Sequence, residues 1–165
     1  MIVIALFILG VVMRLAWHPA NFTPVLALVL FGGVYFDKKY ALTLPVFLMM
    51  ITDVMLGLHD MVLFTWGSII LISFLGLWLR ERFSWARLAL TGSLSAVFFY
   101  IVTNFGVWLS GYYPMNFKGF VDCYVLAIPF FRTMFVSTLV YSFVFFGLYE
   151  LIASRLRKTA YARVL

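Results

Sequence analysis

The chain has 165 residues, 65% of them hydrophobic, 20% aromatic and only 11% charged, with a net charge of +6. Soluble domains are about 45–50% apolar and about 25% charged, so this composition excludes an ordinary soluble domain, a disordered chain and a coiled coil. The single cysteine, Cys123, excludes an intrachain disulfide and a cysteine-based zinc site. The basic residues fill short gaps between apolar runs instead of forming a solvated face, which argues against nucleic acid as a partner. With a mean hydropathy of +1.09, the chain reads as an integral membrane protein.

A membrane-crossing helix needs roughly 20 mostly apolar residues. The first run, Met1 to Trp17, carries only Arg14 near its end and is stopped by His18-Pro19. It lacks a basic leader and a small-residue cleavage site, so it is expected to stay as the first helix rather than act as a secretion signal. The second run, Pro24 to Phe36, is short, contains Gly32-Gly33, and is expected to be a short or strongly tilted span. The third, Tyr40 to Leu58, holds Pro45 and Asp53, and the fourth runs from Met61 to Leu79 before Arg80-Glu81-Arg82. The fifth covers Leu88 to Ser110. Residues 119–131 predict a short helix lying in the interface as a lid, and the last crossing is expected from Arg132 to Ser154. The fold class is therefore all-α: one domain, residues 1–165, forming a polytopic bundle of six transmembrane helices.

Lysine and arginine orient the bundle. Six crossings put Lys38, Lys39, Arg80, Arg82, Arg87, Arg155, Arg157, Lys158 and Arg163 on one side, and only Arg14, Lys118 and Arg132 on the other. The expectation is a bacterial inner membrane protein with both termini cytoplasmic. The outer side then gathers both histidines and three of the six acidic residues.

Those outer residues are the candidate ligand-binding set: His18, Asn21, Asp53, His59, Asp60, Asn104, Tyr112, Tyr113, Asn116 and Arg132. Asp53 stands out because an ionisable group at membrane depth is costly unless paired, and such groups mark function by default. Its structural reading is a bond to Arg14, Arg132 or a loop backbone. His59-Asp60 has the form of a ligand-directed imidazole whose tautomer a carboxylate fixes, set against a plain surface histidine. His18 has the alternative role of ending helix one. Tyr112 and Tyr113 are either pocket rings or interfacial anchors. Cys123 reads as a packing residue. Neither a metal-ligand spacing nor a phosphate-binding glycine loop is present, so no resident metal, cofactor or ATPase activity is expected. Without a nucleophile–base spacing the chain does not read as an enzyme.

The same residues carry a resemblance. The stretches H-P-x-N-F-T-P-V (His18 to Val25), F-G-G-x-Y-F (Phe31 to Phe36), D-x-x-L-G-x-H-D (Asp53 to Asp60), T-N-F-G-V-W-L-S-G (Thr103 to Gly111) and C-Y-x-x-A-I-P-F-F-R (Cys123 to Arg132) resemble a family of small bacterial membrane proteins. That family is related to the substrate-binding S components of energy-coupling factor (ECF) transporters. The resemblance implies a six-helix bundle that binds a vitamin or related micronutrient on its outer side, with a membrane coupling subunit and cytosolic ATPases as partners. The layout is similar to the cobalamin-transporting S component, where a histidine after helix one and a cysteine after helix three approach the corrin. His18 holds the first place; no cysteine follows helix three, and His59 is the nearest candidate cobalt ligand. Many S components also carry A-x-x-x-A in helix one, whereas this chain has Ala5, Gly10 and Ala16. The resulting expectation is an S-component-like protein binding a micronutrient, with a corrinoid first. Under it Asp53 and Asn104 form the pocket floor and Tyr112, Tyr113 and Asn116 the covering loop. The rival is an accessory subunit of a larger membrane complex, and a lipid-directed enzyme stands third.

Overall fold

The computed structural model describes residues 2–16, 19–58 and 60–157. They form six helices: α1 (Ile2–Leu15), α2 (Val25–Tyr35), α3 (Lys38–Leu56), α4 (Val62–Glu81), α5 (Trp85–Leu109) and α6 (Phe117–Arg157). His18 and His59 lie outside the described residues. Four helices, α3 to α6, are long and apolar enough to cross a membrane; α1, with 14 residues, and α2, with 11, are shorter.

The helix boundaries follow local chemistry. Pro24 precedes α2, where its missing N–H costs nothing. Gly57, with φ 109°, follows α3 in a conformation that most side chains resist. Ser84 caps α5 by accepting from the Arg87 amide at 3.2 Å, and Asn116 caps α6 by accepting from the Gly119 amide at 2.8 Å.

The chain passes back and forth between two ends of the bundle. At one end Arg80 donates to the Phe36 carbonyl, Tyr35 donates to Glu150 at 3.1 Å, and Phe83 stacks on Phe146. Lys38, Lys39, Arg82 and Arg87 gather near it, so this is the basic end. The opposite end holds the first, third and fifth connections, where Tyr112 reaches Asp60 and Ser110 reaches Met61.

Helix α2 is the hub. Every residue from Val25 to Val34 is buried, and α2 packs against each of the other five helices. Its closest neighbour is α4: a Cβ placed on Gly33 would stand 2.6 Å from the Gly76 Cα, so two backbones meet there. Most of the buried hydroxyls elsewhere bond within their own helices. Thr52 donates to the Leu48 carbonyl, Ser73 to Ile69 and Ser95 to Thr91, which leaves the helix faces effectively apolar. Large apolar side chains such as Phe47, Val54, Leu63 and Val125 point outward, as a lipid-facing surface requires.

One sequence expectation needs correcting. The lid expected over residues 119–131 and the last crossing expected from Arg132 are a single 41-residue helix, α6. Pro129 lies inside it without ending it. At 1.5 Å per residue α6 is about 60 Å long, well beyond the bilayer core of about 30 Å. The polar residues Lys118 and Asp122 therefore mark the first turns of a long helix, not a separate element.

Candidate functional site

Two ionisable side chains are buried side by side at the cavity-bearing end of α1 and α3. Arg14, next to the last residue of α1, is 8% exposed; Asp53, about one turn from the end of α3, is 4% exposed. The Arg14 Nη2 donates to Asp53 Oδ1 at 2.5 Å, and the Trp66 indole Nε1 of α4 donates to Asp53 Oδ2 at 2.8 Å. Arg14 Nη1 points to the Met49 sulfur at 2.9 Å. Three helices are thus tied at one carboxylate.

This knot is not packed shut. Arg14, Asp53 and Met49 line a cavity of about 330 Å³ whose other walls are Val25 and Leu26 at the start of α2, Leu56, Gly57, Thr65, Phe99 and Met134, with Asn21 and Thr23 from the first connection. A smaller space of about 180 Å³ adjoins it between α5 and α6, walled by Tyr100, Thr103, Asn104, Phe130 and Phe131. Asn21, Phe99 and Met134 line both spaces, so the two are lobes of one recess. The recess is mostly apolar with a few placed polar groups, the usual build of a small-molecule site.

The polar groups of the smaller lobe are oriented by the fold. Asn104 gives its side-chain amide to the Tyr100 carbonyl at 2.8 Å, and Tyr100 gives its hydroxyl to the Tyr124 carbonyl at 2.6 Å. Asn21 holds a positive φ of 60°, a conformation asparagine tolerates, and its carbonyl accepts from Ser137 of α6 at 3.3 Å. The first connection is therefore pinned across the recess.

Residues 1–160 match the model of DUF6580, a family of unknown function. The chain belongs to that family. No curated protein and no solved structure matches it. What a DUF6580 member does must therefore be argued from its own geometry.

Of the residues expected from sequence, the recess takes up three: Asp53 and Asn21 in the larger lobe, and Asn104 with Asn21 in the smaller. Asp60, Tyr112, Tyr113, Asn116 and Arg132 line neither lobe. Asn116 is a helix cap. Tyr112 is exposed and donates to Asp60 Oδ2 at 2.9 Å, a tie between the third and fifth connections. The hydrogen bond to the Asp60 carboxylate and its charge push the Tyr112 hydroxyl above the ordinary tyrosine range. Arg132 is exposed on α6. Among the described residues no three His, Cys, Asp or Glu side chains come together as a metal cluster.

The recess also uses residues that sequence reasoning passed over. Arg14 is one of the three partners the sequence offers Asp53, and an arginine within an apolar run is a visible signal. Trp66, Met49, Phe99 and Met134 carry no such signal. In a chain with 20% aromatics and eight methionines, a pocket wall and a helix face look alike.

Proposed function

We propose that this DUF6580 protein is a membrane-embedded solute-binding protein, similar in role to ECF S components, that holds a vitamin-sized micronutrient in the recess. One observation carries the reading. A purely structural ion pair is closed over by its neighbours, whereas Arg14 and Asp53 face an open space of about 330 Å³.

The positive-inside bias supports a bacterial inner membrane orientation with the basic end and both termini in the cytoplasm. The recess then opens outward. Helix α2, buried among the others, and helix α1, at the periphery, complete six passes in this reading. The partners in this reading are the bilayer, the solute and, for uptake, a membrane coupling subunit with cytosolic ATPases. Lacking A-x-x-x-A in α1, the chain would meet that subunit through a different surface.

The space available ranks the solutes. Lobes of about 330 and 180 Å³ suit a one- or two-ring micronutrient better than a corrinoid, so cobalamin falls behind. Mass spectrometry and a visible absorption spectrum of the gently purified protein test the proposal. The expected result is a co-purified small solute, or a melting temperature raised by one member of a vitamin panel. Protein that is solute-free, unmoved by the panel and recovered at fixed stoichiometry in a larger complex would overturn it in favour of an accessory subunit.

A further inference from the structure

We infer that the solute carries a neutral amino-substituted nitrogen heterocycle, and that this ring enters the smaller lobe with its amino group on the side-chain oxygen of Asn104. The inference rests on the solute-binding reading above and narrows it. It comes from where the polar side chains of that lobe have already committed their protons.

Three of these side chains stand on consecutive turns of α5. The Thr103 hydroxyl donates to the Phe99 carbonyl at 2.7 Å, and the Asn104 Nδ2 donates to the Tyr100 carbonyl at 2.8 Å. The Tyr100 hydroxyl donates across to the Tyr124 carbonyl of α6 at 2.6 Å. Each hydroxyl has thus given its one proton to the main chain, and its oxygen can only accept from a guest. The Asn104 carboxamide is oriented by the same logic: a carbonyl partner requires the nitrogen to face it, which settles where Oδ1 lies. The lobe therefore asks its guest for N–H donors. One proton of the Asn104 Nδ2 remains, and a ring nitrogen beside the guest's amino group can accept it. Asparagine meets the amino and ring nitrogens of adenine through the same two atoms.

The walls specify a flat, uncharged body. Phe99, Tyr100, Phe130 and Phe131 line the lobe, with the Tyr100 and Phe131 rings 4.7 Å apart between centroids. Aromatic faces and edges of this kind pack a further ring in offset or edge-on contact. Among the described residues, none that lines this lobe is charged. The Arg14–Asp53 pair belongs to the larger lobe and its two charges compensate each other. A charged ring would therefore leave water without a counter-ion to receive it. A space of about 180 Å³ suits a single ring, with the rest of the solute in the larger lobe.

The test uses the full chain in phosphatidylcholine nanodiscs and pairs of rings of matched shape: aminopyrazine and methylpyrazine, 4-aminopyrimidine and 4-methylpyrimidine. Binding at neutral pH is read by ligand-observed NMR, with empty nanodiscs as the blank. The expected result is that at least one amino ring binds about tenfold tighter than its methyl partner, because a site built of acceptors rejects an analogue without the donor. Asn104→Leu, which keeps the shape and removes both polar atoms, is expected to bring that amino ring down to the affinity of the methyl ring. Methyl rings that bind as well as amino rings would overturn the assignment and leave the solute-binding reading standing. Tighter binding of benzylammonium than of every neutral ring would overturn the neutral charge. An amino preference that survives Asn104→Leu would overturn the role of Asn104. If no ring binds, the assignment falls; the solute-binding reading falls with it only where mass spectrometry also finds no co-purified solute. Should Asn104→Leu not fold, Thr103→Val removes a neighbouring acceptor at constant shape and is expected to lower the amino preference roughly threefold. No change there would overturn the placement of the ring in this lobe.

Discussion

The Arg14–Asp53 pair can be weighed by breaking it from each side and then from both. Asp53→Asn keeps an oxygen to accept from Trp66 Nε1, so it isolates the loss of the carboxylate charge beside Arg14. Arg14→Met replaces the guanidinium with an apolar chain that stays within the same walls. Removing one member of a buried pair costs about 3–5 kcal/mol, because the remaining charge is left uncompensated. Both groups are under 9% exposed, yet they border a cavity that can hold water, so the lower end of that range applies. A loss of about 3 kcal/mol moves the melting temperature of a chain this size by about 6–12 °C. The R14M/D53N double variant carries no orphan charge, and replacing a buried pair by neutral groups is close to neutral. It is expected to melt within about 4 °C of the unaltered protein, above either single variant. Thermal unfolding in nanodiscs, followed by tryptophan emission, reads all four proteins. Single losses below about 2 °C, or a double loss equal to the sum of the singles, would refute a buried, mutually compensated pair.

Three further outcomes follow from the packing and the connections. Gly33→Ala drives a methyl into the Gly76 backbone at 2.6 Å and should cost about 1–3 kcal/mol as overpacking. Gly67→Ala, where a Cβ meets nothing within 4 Å, should be neutral or slightly stabilising in the same melting assay. Asn116→Ala should cost about 1 kcal/mol through loss of the α6 cap, with Asn116→Asp restoring it; a fall in solute affinity without loss of stability would instead return Asn116 to the binding site. The Tyr112 hydroxyl, raised by Asp60, keeps its proton and its bond below the ordinary tyrosine value of about 10 and loses them as the pH climbs through the raised value. Ultraviolet titration at the phenolate band should show Asp60→Asn lowering that ionisation, and no change would refute the bond.

Much of this architecture is written in the sequence, because hydrophobic runs and basic gaps are signals that lipid imposes directly. All six apolar runs became helices, and the shortness of the second run was visible before any fold. Two features escaped. The break expected before Arg132 rested on polar residues near Lys118 and Asp122, but a helix projecting past the apolar layer meets water and carries such residues without ending. Pro129 was equally uninformative, since a proline in a long apolar helix removes one hydrogen bond and does not by itself end the element. For the recess, Asp53 was legible as a costly charge. Its environment was not, because Trp66, Met49, Phe99 and Met134 arrive from four different helices and only packing brings them together.

The short second helix explains why the recess exists and why charges sit in it. Gly33 and Gly76 fix the register of α2 on α4. With that contact as reference, α4 runs about 9 Å further toward the recess than α2 does. That missing length leaves a layer at the core of the bundle that no helix fills. Asn21 and Thr23 border it, Val25 and Leu26 floor it, and Arg14 and Asp53 project into it from the ends of α1 and α3. A charged pair within a fully packed apolar core would bear the whole desolvation cost; at this level part of that cost is avoided, because the cavity admits water or a polar solute. Extending α2 by two turns would fill the layer with apolar side chains and leave the pair buried without relief. The length of α2 and the placement of the pair are therefore linked: the helix stops below the layer in which the two charges meet.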